Sequence, residues 1–490
     1  MPGSGRSTPR HDHSHAFSSL RAREREGLVV GSRRGMLKAS LAGLAGLSLP
    51  ELLRRRALGA GEKTGRASAG KSVILLWMAG GPSQIDTWDP KPSRPLENRG
   101  PFGVIPTKVP GVHFCEHLPK SAAMLDKFSV IRSVDCRFSN HEPNKVMQTA
   151  NLDAEPRLNP ASGDMYPSFG SVIAREHGAN RPGIPAYVAF QTSRSHVAHA
   201  GFLGKKFDPF IANSACKLPV YNDVGVDSGQ MTGADFFRLP AGVDRDRLSG
   251  RRSLLGDLDL LRAQLDASPS MAALDDYGQQ AVEMLVGRRA RDAFDIDLEP
   301  RSVRERYGKH LWTQQALLAR RLVEAGVAFV TLDLSYHTAS GTWDTHGDNI
   351  PPYGGISKGL KPLLPLFDHL FTTLVDDLDE RGLLDDTLVL GMGEFGRTPN
   401  MGTQGSTDGR DHWPYVMSMI VAGGGLRHGQ VIGSTELDGG HIKDRPVTPG
   451  DIAATIYRHM GVPLETTYVD GSGRPRFIVD GGGEPIREFF

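Results

Sequence analysis

After a polar leader, the chain is punctuated by continuous apolar runs rather than by strictly alternating ones. Val73-Ile74-Leu75-Leu76-Trp77-Met78 runs into Gly80-Gly81-Pro82, the pattern of a strand buried on both faces that ends in a loop. Comparable runs span Ile184 to Phe190, Val327 to Leu334, Thr387 to Met392 and Tyr415 to Ala422, and Phe128 to Val134 is a shorter, partly apolar stretch. Leu311 to Ala325 and Leu360 to Leu378 carry apolar residues at helical spacing and precede two of these runs. Helix followed by strand, repeated, predicts an α/β fold with a doubly wound, mostly parallel sheet flanked by helices. Thr448-Pro449-Gly450-Asp451 ahead of Ile452, Ala453 and Ile456 predicts a capped helix with proline in its first turn. Leu248 to Val286 reads as two charged amphipathic helices, a helical insertion over about residues 245–300.

The leader carries an address. Ser32-Arg33-Arg34-Gly35-Met36-Leu37-Lys38 precedes a mildly apolar run from Ala39 to Leu49, and small residues follow around Ala57 to Ala60. This is the layout of a twin-arginine export signal with a cleavage site. The apolar run is about a dozen residues where a membrane span needs about 20, so no stable span is expected. Residues 1–60, including His11, His13 and His15, are read as signal and leader, and residues 61–490 as the α/β domain. The expected partner is the twin-arginine translocation machinery, and the expected location is the periplasm or the extracellular space. That route carries folded cargo, which suits a protein that loads a metal before export.

Composition narrows the function classes. A chain of 490 residues with 39% apolar content can bury a large core. Its 57 Lys and Arg against 56 Asp and Glu leave no field to recruit nucleic acid. Cys115, Cys136 and Cys216 lack the short spacing of a zinc ribbon and admit either one disulfide with a free thiol or three buried thiols. The 58 Gly and 33 Pro fit long loops around a sheet rather than a helical bundle.

In open α/β sheets ligands bind beyond the carboxyl ends of the strands, so polar residues just after each apolar run are the candidates for chemistry. Gly80-Gly81-Pro82-Ser83-Gln84-Ile85-Asp86-Thr87-Trp88-Asp89 presents a hydroxyl and two carboxylates, and Asp86 or Asp89 could equally cap a turn or bind metal. Phe138-Ser139-Asn140-His141 offers a nucleophile, an amide donor and a ligand or base. In Trp343-Asp344-Thr345-His346-Gly347-Asp348-Asn349, Asp344 and His346 are two residues apart and can face one ion from an extended loop. The fourth cluster joins Gly393-Glu394-Phe395-Gly396-Arg397-Thr398 to Gly409-Arg410-Asp411-His412-Trp413-Pro414, with Arg397 able to hold an oxyanion in its guanidinium fork. Carboxylates and imidazoles at several strand ends suit a divalent ion, zinc or manganese rather than calcium.

These residues resemble the alkaline phosphatase-like superfamily, which includes sulfatases, phosphodiesterases and metal-dependent phosphoglycerate mutases. Asp386 to Gly396 is similar to that superfamily's apolar strand ending in Asp-His-Gly, His412-Trp413-Pro414 to its later metal histidine, and Asp451 to Ile456 to its Asp-Ile-Ala-Pro-Thr-Ile segment. With the twin-arginine leader and Gly80-Gly81-Pro82-Ser83-x-Ile85-Asp86-Thr87, nearly the whole chain most resembles an exported, sulfatase-like family of unknown function (domain of unknown function 1501). The resemblance implies an alkaline phosphatase-like fold, a bimetal site and a hydroxyl nucleophile attacking phosphorus or sulfur of a small-molecule or polymeric ester. Carried over, Asp344, His346, Glu394 and His412 are metal ligands, with Asp411, Asp86 and His141 as further candidates. Ser83 or Ser139 is the nucleophile, and Asn140 contacts substrate. Phe395 stands where the superfamily has a histidine, which puts one metal in doubt. No Cys-x-Pro-x-Arg or Ser-x-Pro-x-Arg formylglycine motif is present, which argues against a sulfatase of that type. The expectation is an exported metal-dependent hydrolase, the alternative a non-catalytic binding or scaffold protein with a partly degenerate site.

Overall fold

The computed structural model describes residues 70–490 apart from 138, 140–144, 153–165, 194–195, 215–228, 230, 233–287, 336–341, 348–353, 404 and 480. They belong to one compact unit, Ala69–Phe490. The segment read as an export signal, Asn140, His141, Cys216 and the two helices expected over Leu248 to Val286 lie outside the described residues.

Eight strands form the main sheet: β1 Ser72–Trp77, β2 Phe128–Val134, β3 Tyr187–Phe190, β4 Phe210–Ile211, β5 Phe329–Asp333, β6 Thr387–Met392, β7 Met417–Gly423 and β8 Val431–Ile432. Their spatial order is β8-β2-β7-β6-β1-β5-β3-β4. β1 lies at the centre, parallel to β5 on one side and β6 on the other. The expected runs are all strands, and β6 has the bounds that its apolar run predicted. β7 is antiparallel to both of its neighbours, so the sheet is mixed. The reason is local: β7 follows a ribbon at the carboxyl end of β6, in which His412–Trp413 pairs with Gly396–Arg397. A chain that starts a strand from that edge must run back down the sheet.

Among the described residues four longer helices cover the faces: α1 Phe169–Glu176, α2 Leu311–Ala325, α3 Lys361–Glu380 and α4 Pro449–Met460. α2 has the predicted bounds and stops at Gly326, whose φ of 115° relieves the last turn as an L side chain could not. α4 begins with the predicted cap: Thr448 Oγ1 accepts from Asp451 N, and the Asp451 carboxylate accepts from Thr448 N.

The continuous apolar runs are explained by burial on both faces. Ile74, Leu76 and Met78 of the β1 segment join Leu317 and Leu322 of α2 and Phe367 and Leu374 of α3 in one cluster. Val73, Leu75 and Trp77 point the other way, toward Phe169 of α1 and Ile452 and Ile456 of α4. Each such fully buried aliphatic side chain contributes roughly 1.5–3 kcal/mol. This packing holds the carboxyl ends of β1, β5 and β6 side by side. Among the described residues no helix is long and apolar enough to cross a membrane. Cys115 and Cys136 are buried free thiols, and burial pushes the Cys115 pKa up to about 12.

Candidate metal centre at the carboxyl edge of the sheet

Beyond β1 the chain turns at Gly80 and Gly81, with φ of 115° and 83°. Glycine is required at position 80: a Cβ there would stand 2.2 Å from the backbone nitrogen of Asp344. The segment after β5 thereby lies directly against the end of β1, with Trp343 N donating to Ala79 O at 3.0 Å. Trp343 is buried and its ring meets Phe367 edge to face at 5.5 Å, which anchors the residue before Asp344. The ribbon after β6 brings His412 opposite Arg397.

Asp344, His346 and His412 converge. One donor atom from each lies within 4.8 Å of the others. His346 Nε2 is 2.8 Å from His412 Nε2 and 3.0 Å from Asp344 Oδ1, and His412 Nε2 is 3.5 Å from the same oxygen. Ligands at about 2.0–2.2 Å from a tetrahedral ion stand about 3.3–3.6 Å apart; one edge of this triangle has that length and the other two are shorter by about 0.3–0.5 Å, so a small opening of the triad would seat one divalent ion. Asp344 and His346 are buried, and His412 is half-buried. Burial of the imidazole pulls the His346 pKa below its ordinary value, opposed by the Asp344 carboxylate and reinforced by Arg397 and His412. A neutral imidazole is the form that ligates.

The other predicted ligands are placed differently. Asp86 faces Arg410: Nε donates to Oδ2 at 2.7 Å, and Ser83 Oγ donates to the same oxygen at 2.5 Å. It therefore serves an internal ion pair and is not part of the Asp344–His346–His412 cluster. Glu394 is fully buried, and its Oε1 accepts from Gly80 N at 2.8 Å, which fixes the glycine turn rather than completing the triad. Asp411 caps its own neighbour, accepting from His412 N at 2.8 Å, and stands 3.5 Å from His346 Nδ1. It thus fixes the backbone of His412 and places a carboxylate beside the His346 ring.

Arg397 is not aimed outward at an oxyanion. Its fully buried guanidinium donates to Gly80 O, to Gly81 O at 3.1 Å, to Arg410 O at 3.2 Å and to Asp344 Oδ1. Phe395 packs its ring 4.7 Å from that of His412 and lies 5.6 Å from the Arg397 guanidinium carbon.

The two candidate nucleophiles differ sharply. Ser83 is fully buried in the Asp86 pair, whereas Ser139, 7% exposed, makes no side-chain hydrogen bond among the described residues. Ser139 N donates to Cys136 O at 3.0 Å. Cys136 in turn reaches the backbone of Gly396 and the field of Glu394, so the turn after β2 adjoins the end of β6.

Three contributors escaped the sequence reading. Gln84 clamps Arg397 by its backbone, Oε1 accepting from Arg397 N at 2.8 Å and Nε2 donating to Arg397 O at 2.9 Å. Arg410 supplies the buried partner of Asp86 and donates its backbone N–H to Thr345 O at 2.9 Å. Asp333, at the end of β5, holds His196 Nδ1 at 2.9 Å and accepts from Thr192 N at 2.7 Å. A carboxylate at the carboxyl end of an apolar run was the available signal for Asp333. Nothing local in sequence marks the other two.

The chain is similar to several solved structures at low identity. A sulfatase from Pseudoalteromonas sp., PsFucS1, is 12% identical, with 84% of this chain and 71% of that one covered and a TM-score of 0.36. The phosphonate monoester hydrolase of Agrobacterium radiobacter is 12% identical over 86% and 77% of the two chains, TM-score 0.32. The lipoteichoic acid synthase LtaP from Listeria monocytogenes is 10% identical over 81% and 73%, TM-score 0.30. No curated protein matches the sequence. Residues 70–490 match a family described as "Protein of unknown function (DUF1501)", and the chain belongs to that family.

Proposed function

We propose that this protein is an exported, metal-dependent hydrolase of phosphate or sulfate esters. The observation that carries the reading is the convergence of Asp344, His346 and His412 at the carboxyl edge of the sheet. Two imidazoles and a carboxylate are the donor set of zinc or manganese. When bound, such an ion supplies a Lewis acid for an ester oxygen and lowers the cost of charge developing there.

The chain's own groups do the rest. Arg397 holds Asp344 and the Gly80 turn in place, and Asp411 fixes the His412 backbone with its carboxylate beside His346. Ser139 is the proposed nucleophile, since its hydroxyl is buried, has no hydrogen-bond partner among the described residues and lies on the turn that adjoins the end of β6. Its oxygen attacks phosphorus or sulfur as the hydroxyl proton leaves, the ester bond breaks, and the alcohol departs protonated. Water then cleaves the seryl ester. Export rests on Arg33 and Arg34 with the short apolar run behind them.

The test is metal analysis of the purified mature protein, with assays of aryl phosphate, phosphodiester and sulfate esters under added zinc or manganese. Bound metal and turnover that both disappear in His412→Ala support the reading. Absence of both metal and turnover in the unaltered protein sinks it. The burial of Arg397 and the apolar Phe395 favour a second reading, a non-catalytic binding protein. That reading predicts metal content unchanged by His412→Ala. Export is tested by fractionation of an Arg33→Lys, Arg34→Lys variant. Retention inside the cell is expected, and undiminished export counts against the signal.

A further inference from the structure

We propose that the Asp344 centre takes a single divalent ion, with the Arg397 guanidinium serving as its built-in second positive charge. The inference rests on the reading of Asp344, His346 and His412 as a metal site. Asp344 Oδ1 already faces both imidazole nitrogens and a guanidinium nitrogen. A second ion bound to the same oxygen, Asp344 Oδ1, would sit where the guanidinium is or directly against it.

The guanidinium is not free to move aside. Its nitrogens are committed to the carbonyls of Gly80, Gly81 and Arg410, and the backbone on both sides of its Cα is clamped by Gln84. The residue carries no exposed surface, so moving it aside would leave the buried Asp344 carboxylate and the three carbonyls without their donor. On the next flank stands Phe395, whose ring contacts His412 and offers no ligand atom. A Cβ on Gly81 would fall 2.7 Å from that ring, so the turn and the phenyl group fill the same space. A permanent cation and an aromatic wall therefore occupy the ground beside Asp344 Oδ1 that another metal on that oxygen would need. Arg397 is a positioning residue: it fixes Asp344 and sets the charge of the site without touching substrate.

The full mature chain, freed of metal with chelator, is titrated with cobalt(II) while calorimetry gives the stoichiometry and the visible d–d spectrum reports ligand geometry. One equivalent per chain is expected, with the spectrum saturating at that point. Two equivalents in the unaltered protein overturn the inference but leave the metal-site reading standing, whereas no binding overturns both. Arg397→Lys, which keeps the charge, is expected to remain at one equivalent. Arg397→Gln, shown to be folded by near-ultraviolet circular dichroism, is expected to accept a second. A folded Arg397→Gln variant that stays at one equivalent removes Arg397 from the argument. Should that variant not fold, the stoichiometry of the unaltered protein decides alone.

Discussion

Arg410 and Asp86 stand 324 positions apart in sequence and meet as a fully buried ion pair, Nε to Oδ2 at 2.7 Å. The pair ties the loop after β1 to the segment that delivers His412. Removing one partner leaves the other buried and uncompensated, a change that costs about 3–5 kcal/mol. Asp86→Asn is expected to lower stability by that order in urea denaturation. A loss under about 1 kcal/mol would show that the pair is not what holds the loop.

Gly80 is the point of closest approach between β1 and the Asp344 segment. Gly80→Ala combines an unfavourable φ of 115° with a Cβ 2.2 Å from Asp344 N, so Asp344 must shift. The expected outcome is about 10- to 100-fold weaker binding of zinc, comparable with loss of a group that orients a ligand. Calorimetric titration checks it, and unchanged affinity would separate the glycine turn from the site.

Ligands and orienting groups separate by magnitude. His346→Ala and His412→Ala are each expected to abolish binding of zinc at micromolar concentrations. Asp411→Asn, which removes the carboxylate charge beside His346 and weakens the hold on the His412 backbone, is expected to cost about 10- to 100-fold. Equal effects for all three would make Asp411 a ligand.

The serines are expected to part company. Ser139→Ala should remove turnover by at least about a thousandfold while leaving the melting temperature nearly unchanged. Ser83→Ala removes a hydrogen bond to a buried carboxylate and should cost about 1.5–3 kcal/mol of stability with turnover retained. The opposite pattern would move the nucleophile to Ser83.

Acid stability follows from His459. Burial pulls its pKa down to about 4 from an ordinary 6.5, while Nε2 lies 3.0 Å from Ser72 O. Between those values the unfolded chain binds a proton that the folded chain does not. Stability is therefore full above about pH 6.5 and falls by about 1.4 kcal/mol per pH unit toward pH 4 from this group. His459→Gln keeps a donor for Ser72 O and is expected to flatten that slope in denaturation series at several pH values. An unaltered slope would assign the acid sensitivity elsewhere.

The alternation of apolar runs and helical stripes was enough to place all five expected strands, both long helices and the capped helix at Thr448. Burial on both faces of a sheet leaves an uninterrupted apolar signal, and caps act within a few residues of the backbone that they serve. The segments carrying Asp344, His346 and His412 were legible as well, because functional side chains in such sheets cluster just after strand ends. Which of the candidates face one another was not. Asp86 and Glu394 sit at strand ends as the triad residues do, yet one turns to Arg410 and the other to Gly80 N. Arg397 reads as an outward anion clamp by residue type and proves to be an inward brace by burial. The reversed direction of β7 likewise depends on a ribbon whose pairing is not written in either segment. The sequence by itself determined the layers, the edge of the sheet where chemistry can occur and the residue types available there. Tertiary structure alone decided which charges meet, because partners such as Asp86 and Arg410 are brought together by the packing of the whole sheet and not by any pattern near either residue.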